Sequence, residues 1–202
     1  MVDPRVEILD KTVCYDGFFR MERYRLRHRL FSGAWSRVLT RELFERGHAA
    51  AVLPYDPALD AVVLVEQFRI GALEAPGSPW LLEIVAGIIE PDETSEDVVR
   101  REAVEEANCQ IRELIHIYDY FVSPGGTSER ISLFCGQVDA AGAGGLHGLA
   151  AEEEDIRVIV VPLAEALAQM HAGKINSAAP IIALQWLQLH HDQLRARWGA
   201  GA

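Results

Sequence analysis

The sequence is poor in cysteine, in positive charge and in long apolar runs, and each shortage excludes a class of protein. Three cysteines, far apart in 202 residues, are too few for a disulfide framework or a zinc cluster. With 19 Lys and Arg against 30 Asp and Glu, the net charge is −11, which argues against binding to nucleic acid. No run of 18 apolar residues and no signal-peptide core occur, so we expect a cytoplasmic protein without a membrane segment.

A P-loop motif is also absent, which excludes that class of nucleotide hydrolase. What is present is an ordinary globular composition, with half of the residues apolar and 24% charged. The length suits one domain, alone or with a small appended piece.

Hydrophobic periodicity predicts a small antiparallel sheet followed by a larger mixed one. Residues 18–44 alternate with a period of two and turn at Ser32-Gly33, with a row of arginines at positions 23, 25, 27 and 29. This row fits a solvated edge strand, or a surface for phosphate or a partner subunit. Further β-rich runs fill residues 50–56, 61–68, 115–122, 131–138 and 156–163, and amphipathic helices follow.

We therefore predict an α/β (α+β) fold in two parts. Residues 1–46 form an N-terminal β-strand subdomain, and residues 47–202 form a domain with a mixed β-sheet between helices. The connection at residues 140–155 is small and flexible at first and acidic at its end, and long loops of this kind are often functional.

One segment predicts a helix with an unusual charge pattern. Thr94 is a good N-cap and Asp97 follows it by three residues, so we predict a helix from about Ser95 to Ala107. At roughly 100° per residue, three glutamates, at positions 102, 105 and 106, fall within about a 100° arc. Each like-charge pair costs a few tenths of a kcal/mol in an isolated helix.

Two explanations fit this crowded face. Arg101 precedes Glu105 by four residues and can offset one charge, but not three. A solvated acidic surface is one explanation. The other is a site for a hard divalent cation, which needs clustered carboxylates and commonly shares its shell with substrate phosphates.

The spacing of these charges resembles the signature of the Nudix hydrolases, G-x5-E-x7-R-E-U-x-E-E-x-G-U, in which U is a bulky aliphatic residue. The matching residues are Gly87, Glu93, Arg101, Glu102, Glu105 and Glu106. Three positions depart, because Ala103 and Cys109 replace larger aliphatic residues and Asn108 replaces the last glycine. Asn is the most tolerable substitute there, since a left-handed residue after a helix is usually Gly and sometimes Asn.

Segments along nearly the whole chain, among them "VEQFRIGA", "SPWLLEIVAG" and "SPGGTSER", look like the ADP-ribose pyrophosphatase branch of this family. The resemblance implies the Nudix fold and hydrolysis of ADP-ribose to AMP and ribose 5-phosphate. It also implies Mg²⁺, with Mn²⁺ as an alternative, and a homodimer with swapped N-terminal strands.

Two other functions remain open at this point. One is hydrolysis of another nucleoside diphosphate sugar, such as GDP-mannose. The other is a non-catalytic module that senses a nucleotide, although a sensor has no need to keep every charged residue of the signature. The "SPGGTSER" loop and the Phe18-Phe19 pair favour ADP-ribose.

The resemblance also assigns roles to individual residues. Glu152 resembles the general base that takes the proton of the attacking water. From composition alone, however, its "AEEED" segment fits a solvated acidic loop. The implied metal ligands are the Ala86 carbonyl, Glu102, Glu105, Glu106 and Glu154. The implied substrate contacts are Phe18, Phe19, Arg41, Glu42, Arg46, Arg69, Ile88, Ser123, Pro124, Gly125 and Glu129.

In this assignment Phe18 stacks on the adenine base. Arg69 holds the diphosphate or the edge of a ribose. The contacts from residues 18–46 are expected to come from the partner subunit.

Overall fold

The computed structural model describes residues 3–148 and 154–199, which contain eleven strands and three helices in two compact units. The first unit comprises the described residues up to His48 together with Phe121–Arg130. The second comprises Ala49–Tyr120 and the described residues from Ile131 onwards. The functional division after residue 46 stays a prediction.

The first unit contains an antiparallel sheet in the order β1-β2-β3. Its strands are β1 (Val6–Asp16), β2 (Arg20–His28) and β3 (Leu39–Glu45). β2 and β3 confirm the predicted alternation, whereas β1 was not predicted. The single buried residue of these three strands is Glu22, whose carboxylate lies 2.9 Å from the Lys11 ammonium and accepts a hydrogen bond from Tyr24.

The second unit is built on an eight-stranded mixed sheet in which β10-β11-β5-β4-β9-β8 form one path, β6 pairs with β5, and β7 pairs with β4. β4 runs parallel to β9 and antiparallel to β5 and β7. The strands are β4 (Ala49–Asp56), β5 (Ala61–Phe68), β6 (Trp80–Glu83), β7 (Val85–Ile88), β8 (Leu114–Phe121), β9 (Arg130–Gln137), β10 (Gly145–His147) and β11 (Ile156–Pro162). The short β10 lies inside the stretch that we predicted to be a loop.

Helices cover both faces of this sheet, as predicted. They are α1 (Ser95–Ala107), α2 (Leu163–His171) and α3 (Ala178–Trp198). Apolar residues of α1 join one hydrophobic cluster, which includes Val65 and Val85, and residues of α2 and α3 join another on the opposite face. None of the helices in the described residues is long and apolar enough to cross a membrane.

Both ends of α1 follow the sequence signals. The Thr94 hydroxyl accepts a hydrogen bond from the Asp97 N–H at 3.2 Å, and the Asp97 carboxylate accepts one from the Thr94 N–H at 3.1 Å. Asn108 ends the helix in the left-handed conformation, with φ 51° and ψ 33°. The substitution of Asn for the signature glycine is therefore compatible with normal helix termination.

Candidate functional site

Glu106 is the most buried carboxylate of the signature. It is 4% exposed, and its Oε2 accepts a hydrogen bond from the Ala86 N–H of β7 at 3.2 Å. Burial raises the pKa of Glu106 to about 8, although the bond from Ala86 opposes this effect, and the charges of Glu102 and Glu154 raise the pKa further. Without a cation, the fold therefore favours the protonated form of this side chain at neutral pH.

Gly87 allows Glu102 to lie directly against β7. A Cβ atom added at this glycine would overlap the Glu102 carboxylate, so any larger residue would push Glu102 away from the strand. Burial raises the pKa of Glu102 as well, while the neighbouring Arg101 lowers it. The first glycine of the signature thus has a steric function, which is to admit a carboxylate.

Arg101 connects three of the signature glutamates. Its Nε and Nη2 donate to the two oxygens of Glu93 at 2.9 and 3.1 Å, and its Nη1 donates to Glu102 at 2.7 Å and to Glu105 at 3.2 Å. The Glu93 carboxylate, above all, holds the pKa of Arg101 above its usual range. One guanidinium cannot balance three carboxylates, so excess negative charge remains, as predicted.

The donor atoms of this cluster suit a hard divalent cation. No group of three His, Cys, Asp or Glu side chains within residues 3–148 and 154–199 is placed to hold a metal ion. Arg101 explains this arrangement, because it holds Glu102 and Glu105 in contacts of its own. The oxygen-only donors and the excess negative charge around Glu106 fit Mg²⁺ or Mn²⁺, provided that these contacts rearrange.

Glu154, at the end of the acidic segment, lies near this cluster, and its charge raises the pKa of both Glu102 and Glu106. The loop joins β10 to β11, which form an antiparallel pair with His147 opposite Ile156. Gly148 precedes the loop with φ +104°, and a Cβ there would collide with the Glu154 backbone. The predicted base, Glu152, lies outside the described residues.

Glu83 of β6, an acidic residue on the side of the sheet that packs against α1, was not predicted to belong to the site. Arg69, a predicted substrate contact, donates from Nε to Glu83 at 2.6 Å. Arg69 also belongs to the charged surroundings of Glu106, whose pKa it lowers. The alternation in "WLLEIVAG" could have identified Glu83, since residues 83, 85 and 87 share one face of an extended strand.

Four of the substrate contacts predicted in the first unit lie in one cluster. The Arg46 guanidinium stacks over the Phe19 ring at 5.1 Å and forms an ion pair with Glu129 at 3.4 Å. Phe18 packs edge-to-face on Phe19, with ring centroids 4.7 Å apart, and its own side chain is exposed. A pocket of about 220 Å³ lies beside these rings, lined by Tyr15, Phe18, Phe19, Arg20, Met21 and Phe44.

The remaining predicted contacts are more dispersed. Arg41 and Glu42 are neighbours on β3 and are paired with different residues of β2, Tyr24 and Arg23. Their side chains therefore point to opposite faces of the sheet. Ser123 starts a turn in which its carbonyl accepts hydrogen bonds from residues 126 and 127, at 3.0 Å each. This turn includes Pro124 and Gly125. Ile88 ends β7 and is 38% exposed.

The family model described as NUDIX domain matches residues 45–184, which include the whole charged cluster on α1. The chain belongs to the Nudix family. At these signature positions Gly87 admits the Glu102 carboxylate, and Arg101 binds Glu93, Glu102 and Glu105.

Two similar proteins support this assignment, and one solved structure shares the fold. The chain is 54% identical to an ADP-ribose pyrophosphatase of Escherichia coli (strain K12) over 193 residues, which cover 96% of this chain and 92% of that protein. It is 33% identical to a GDP-mannose pyrophosphatase of Pectobacterium atrosepticum over 181 residues, 89% and 92% of the two chains. A crystal structure of an ADP compounds hydrolase shares the fold, with a TM-score of 0.70, 20% identity and 98% coverage of both chains.

The raised pKa of Glu106 predicts how the stability of the metal-free Nudix protein depends on pH. Between its ordinary value of 4.5 and the folded value of about 8, the folded state binds more protons than the unfolded chain does. The free energy of unfolding should therefore fall as pH rises through this window. Glu106→Gln should reduce the slope and be more stable than the parent at pH 8.5.

Urea denaturation in excess chelator, at pH 5.5, 7 and 8.5, measures this effect. Glu96→Gln is the control, because Glu96 is an exposed residue of the same helix. Equal pH slopes for the parent and Glu106→Gln would show that Glu106 is not a buried group with a raised pKa. Added Mg²⁺ should stabilise the parent more than Glu106→Gln.

Proposed function

We propose that this Nudix protein hydrolyses the diphosphate bond of ADP-ribose to give AMP and ribose 5-phosphate. The observation that carries the proposal is 54% identity over 96% of the chain to a protein named ADP-ribose pyrophosphatase. The buried Glu106 and the half-buried Glu102 beside Gly87 support it, because clustered carboxylates with excess negative charge suit an enzyme that binds a diphosphate together with divalent cations. A cytoplasmic location, expected from the sequence, belongs to the same proposal.

The proposed mechanism assigns metal binding and proton transfer to separate sets of residues. Glu102 and Glu106, with Glu105, Glu154 and the Ala86 carbonyl, would hold Mg²⁺ or Mn²⁺. When bound, such ions neutralise phosphate oxygens and make phosphorus more electrophilic. The Glu152 carboxylate takes a proton from the water that attacks phosphorus.

The cluster of Phe18, Phe19, Arg46 and Glu129 in the first unit is suited to binding the adenine base. The exposed Phe18 ring borders the pocket of about 220 Å³ and offers a face on which adenine can stack. Phe19 lines the same pocket, and the Arg46 guanidinium packs on the Phe19 ring and pairs with Glu129. The turn that includes Ser123, Pro124 and Gly125 is proposed to contact the second ribose. Glu129 and Ile88 are each proposed as contacts of the same ribose, and Arg41 and Glu42 are proposed as further contacts.

A second candidate substrate is GDP-mannose, favoured by 33% identity to a protein named GDP-mannose pyrophosphatase. The higher identity to the ADP-ribose relative places this candidate second. A non-catalytic sensor ranks third, because Glu102, Glu105 and Glu106 are all retained although their mutual repulsion is destabilising.

A substrate panel tests the proposed reaction. ADP-ribose, GDP-mannose and other nucleoside diphosphate sugars are each incubated with Mg²⁺ or Mn²⁺, and the products are separated. We expect the highest kcat/KM for ADP-ribose, equal amounts of AMP and ribose 5-phosphate, and loss of turnover in excess chelator. A higher kcat/KM for GDP-mannose would replace the proposed substrate, and an inert protein would favour the sensor.

Replacing Glu152 tests the assignment of the base. Glu152→Gln keeps the size of the side chain but cannot take a proton, so kcat should fall by about 10² to 10⁴, with KM close to that of the parent. Glu153→Gln, a change at the neighbouring carboxylate, should retain kcat within a few-fold. If the effects were reversed, Glu153 would be the base. If both variants stayed active, Glu129 would be the next candidate.

We also propose that the protein is a homodimer formed through the β1-β2-β3 sheet, with its N-terminal strands swapped. Within this sheet Glu22 is the single buried residue. On β1, the apolar side chains of Ile8, Val13 and Tyr15 are between 44% and 66% exposed. Phe31, between β2 and β3, is fully exposed. Apolar surface of this extent is typical of an interface.

Sedimentation at micromolar concentration should therefore show a dimer. Ile8→Lys should shift the protein toward the monomer, because burying an unpaired ammonium is unfavourable. Leu59→Lys is the control, since Leu59 is 55% exposed in the turn between β4 and β5. A parent monomer with full activity would contradict the proposed dimer.

A further inference from the structure

Arg69 is held at two points immediately after β5. Its backbone N–H donates to the Pro79 carbonyl at 2.8 Å, and its side-chain Nε donates to Glu83 at 2.6 Å. The Glu83 side chain is only 17% exposed, whereas that of Arg69 is 44% exposed. The guanidinium is thus tied to a largely buried anion while part of it still faces solvent.

Both residues belong to the sheet face that packs against α1. Val65 is paired with Glu83 across β5 and β6, so their side chains lie on the same side. Val65 and Val85 belong to the hydrophobic cluster that contains α1 residues. By the alternation of an extended chain, Arg69 continues the face of Val65. The ion pair therefore lies on the side of the sheet that carries the Nudix glutamates.

The contact of Arg69 with Glu83 leaves a defined part of the guanidinium for a ligand. Nε supplies one of the five N–H groups of an arginine, and the outward-pointing hydrogens of Nη1 and Nη2 form a planar edge that can bind two phosphate oxygens. An arginine whose orientation is already fixed loses less side-chain entropy when it binds.

We propose that Glu83 is a positioning residue for the substrate diphosphate: it fixes Arg69 so that the Nη groups face the phosphate oxygens. This inference rests on the proposed function, because it needs a diphosphate substrate bound beside α1. Glu83 itself contacts neither the substrate nor the reacting atoms.

A double-mutant cycle tests this role. Glu83→Ala should raise KM for ADP-ribose about tenfold, as expected for the loss of one charged hydrogen bond, with a smaller change in kcat. Glu83→Gln keeps an acceptor oxygen and should fall between the parent and Glu83→Ala. In an Arg69→Ala background, Glu83→Ala should have no further effect, because the group that it positions is gone.

The matched control is Glu66→Ala. Glu66, on β5, forms an ion pair with Arg157 of β11, and it points to the opposite face of the sheet from the neighbouring Val65. This change removes an ion pair of the same kind from the same sheet, so KM should stay at the parent value. Thermal unfolding of every variant shows whether lost stability accounts for a kinetic change.

Binding of the methylene analogue of ADP-ribose, measured by calorimetry, provides a readout without turnover. Glu83→Ala should weaken this binding about tenfold in the parent, and not in Arg69→Ala. Equal losses in both backgrounds, or no loss in either, would overturn the positioning role. If the parent prefers GDP-mannose, the proposed substrate is wrong, and the same cycle with GDP-mannose and its methylene analogue still decides the role of Glu83.

Discussion

The burial of the Glu106 carboxylate against β7 is the constraint on which the rest of the site depends. A carboxylate with one backbone donor, at 4% exposure, is costly to ionise. The like charges of Glu102 and Glu154 increase that cost. A fold optimised for stability alone would place an apolar residue at this position. A bound cation of high charge would make the arrangement favourable, which is why we propose that it is functional rather than a solvated acidic face.

Residues at the other positions of the signature help to place the glutamates of α1 beside β7. Gly87 removes the side chain that would collide with Glu102, and Asn108 takes the left-handed conformation that ends α1. Arg101 connects Glu93, which precedes the helix, to the first turns of α1 and partly offsets Glu102 and Glu105. One guanidinium therefore both fixes the entry to the helix and limits repulsion along it.

Elements whose ends are specified by neighbouring residues were predicted correctly from the sequence, whereas elements with an irregular register were not. The helix at Ser95–Ala107 was predictable because Thr94, Asp97 and Asn108 specify its ends within a few residues. The strand at Val6–Asp16 was missed because its register shifts twice, between residues 8 and 10 and between residues 13 and 15, so its apolar residues do not alternate. A bulge is a tertiary feature that a period of two does not capture.

The residues of the candidate site also differ in whether the sequence alone predicts that they lie close together. The carboxylates of α1 share one helix face, so their spacing alone predicts that they lie close together, and a solvated acidic face fits that spacing as well as a common site does. Glu83 acquires its partner only when β6 pairs with β5, and the contact of Arg46 with Glu129 joins residues 83 positions apart. Arg41 and Glu42 show the opposite case, because neighbours in a strand point to different faces. Resemblance selected these residues, but only the fold shows which of them meet.

The distribution of charge indicates that, in the proposed mechanism, one set of groups neutralises the diphosphate and another sets its orientation. Residues 1–48 contain ten of the 19 basic residues and seven acidic ones, whereas the rest of the chain has nine basic and 23 acidic residues. Arg69 and Arg46 are each paired with a glutamate, so neither contributes much net positive charge to an anionic substrate. In this mechanism divalent cations therefore have to neutralise the diphosphate, and Arg69, whose planar donors are held in place by Glu83, sets its orientation.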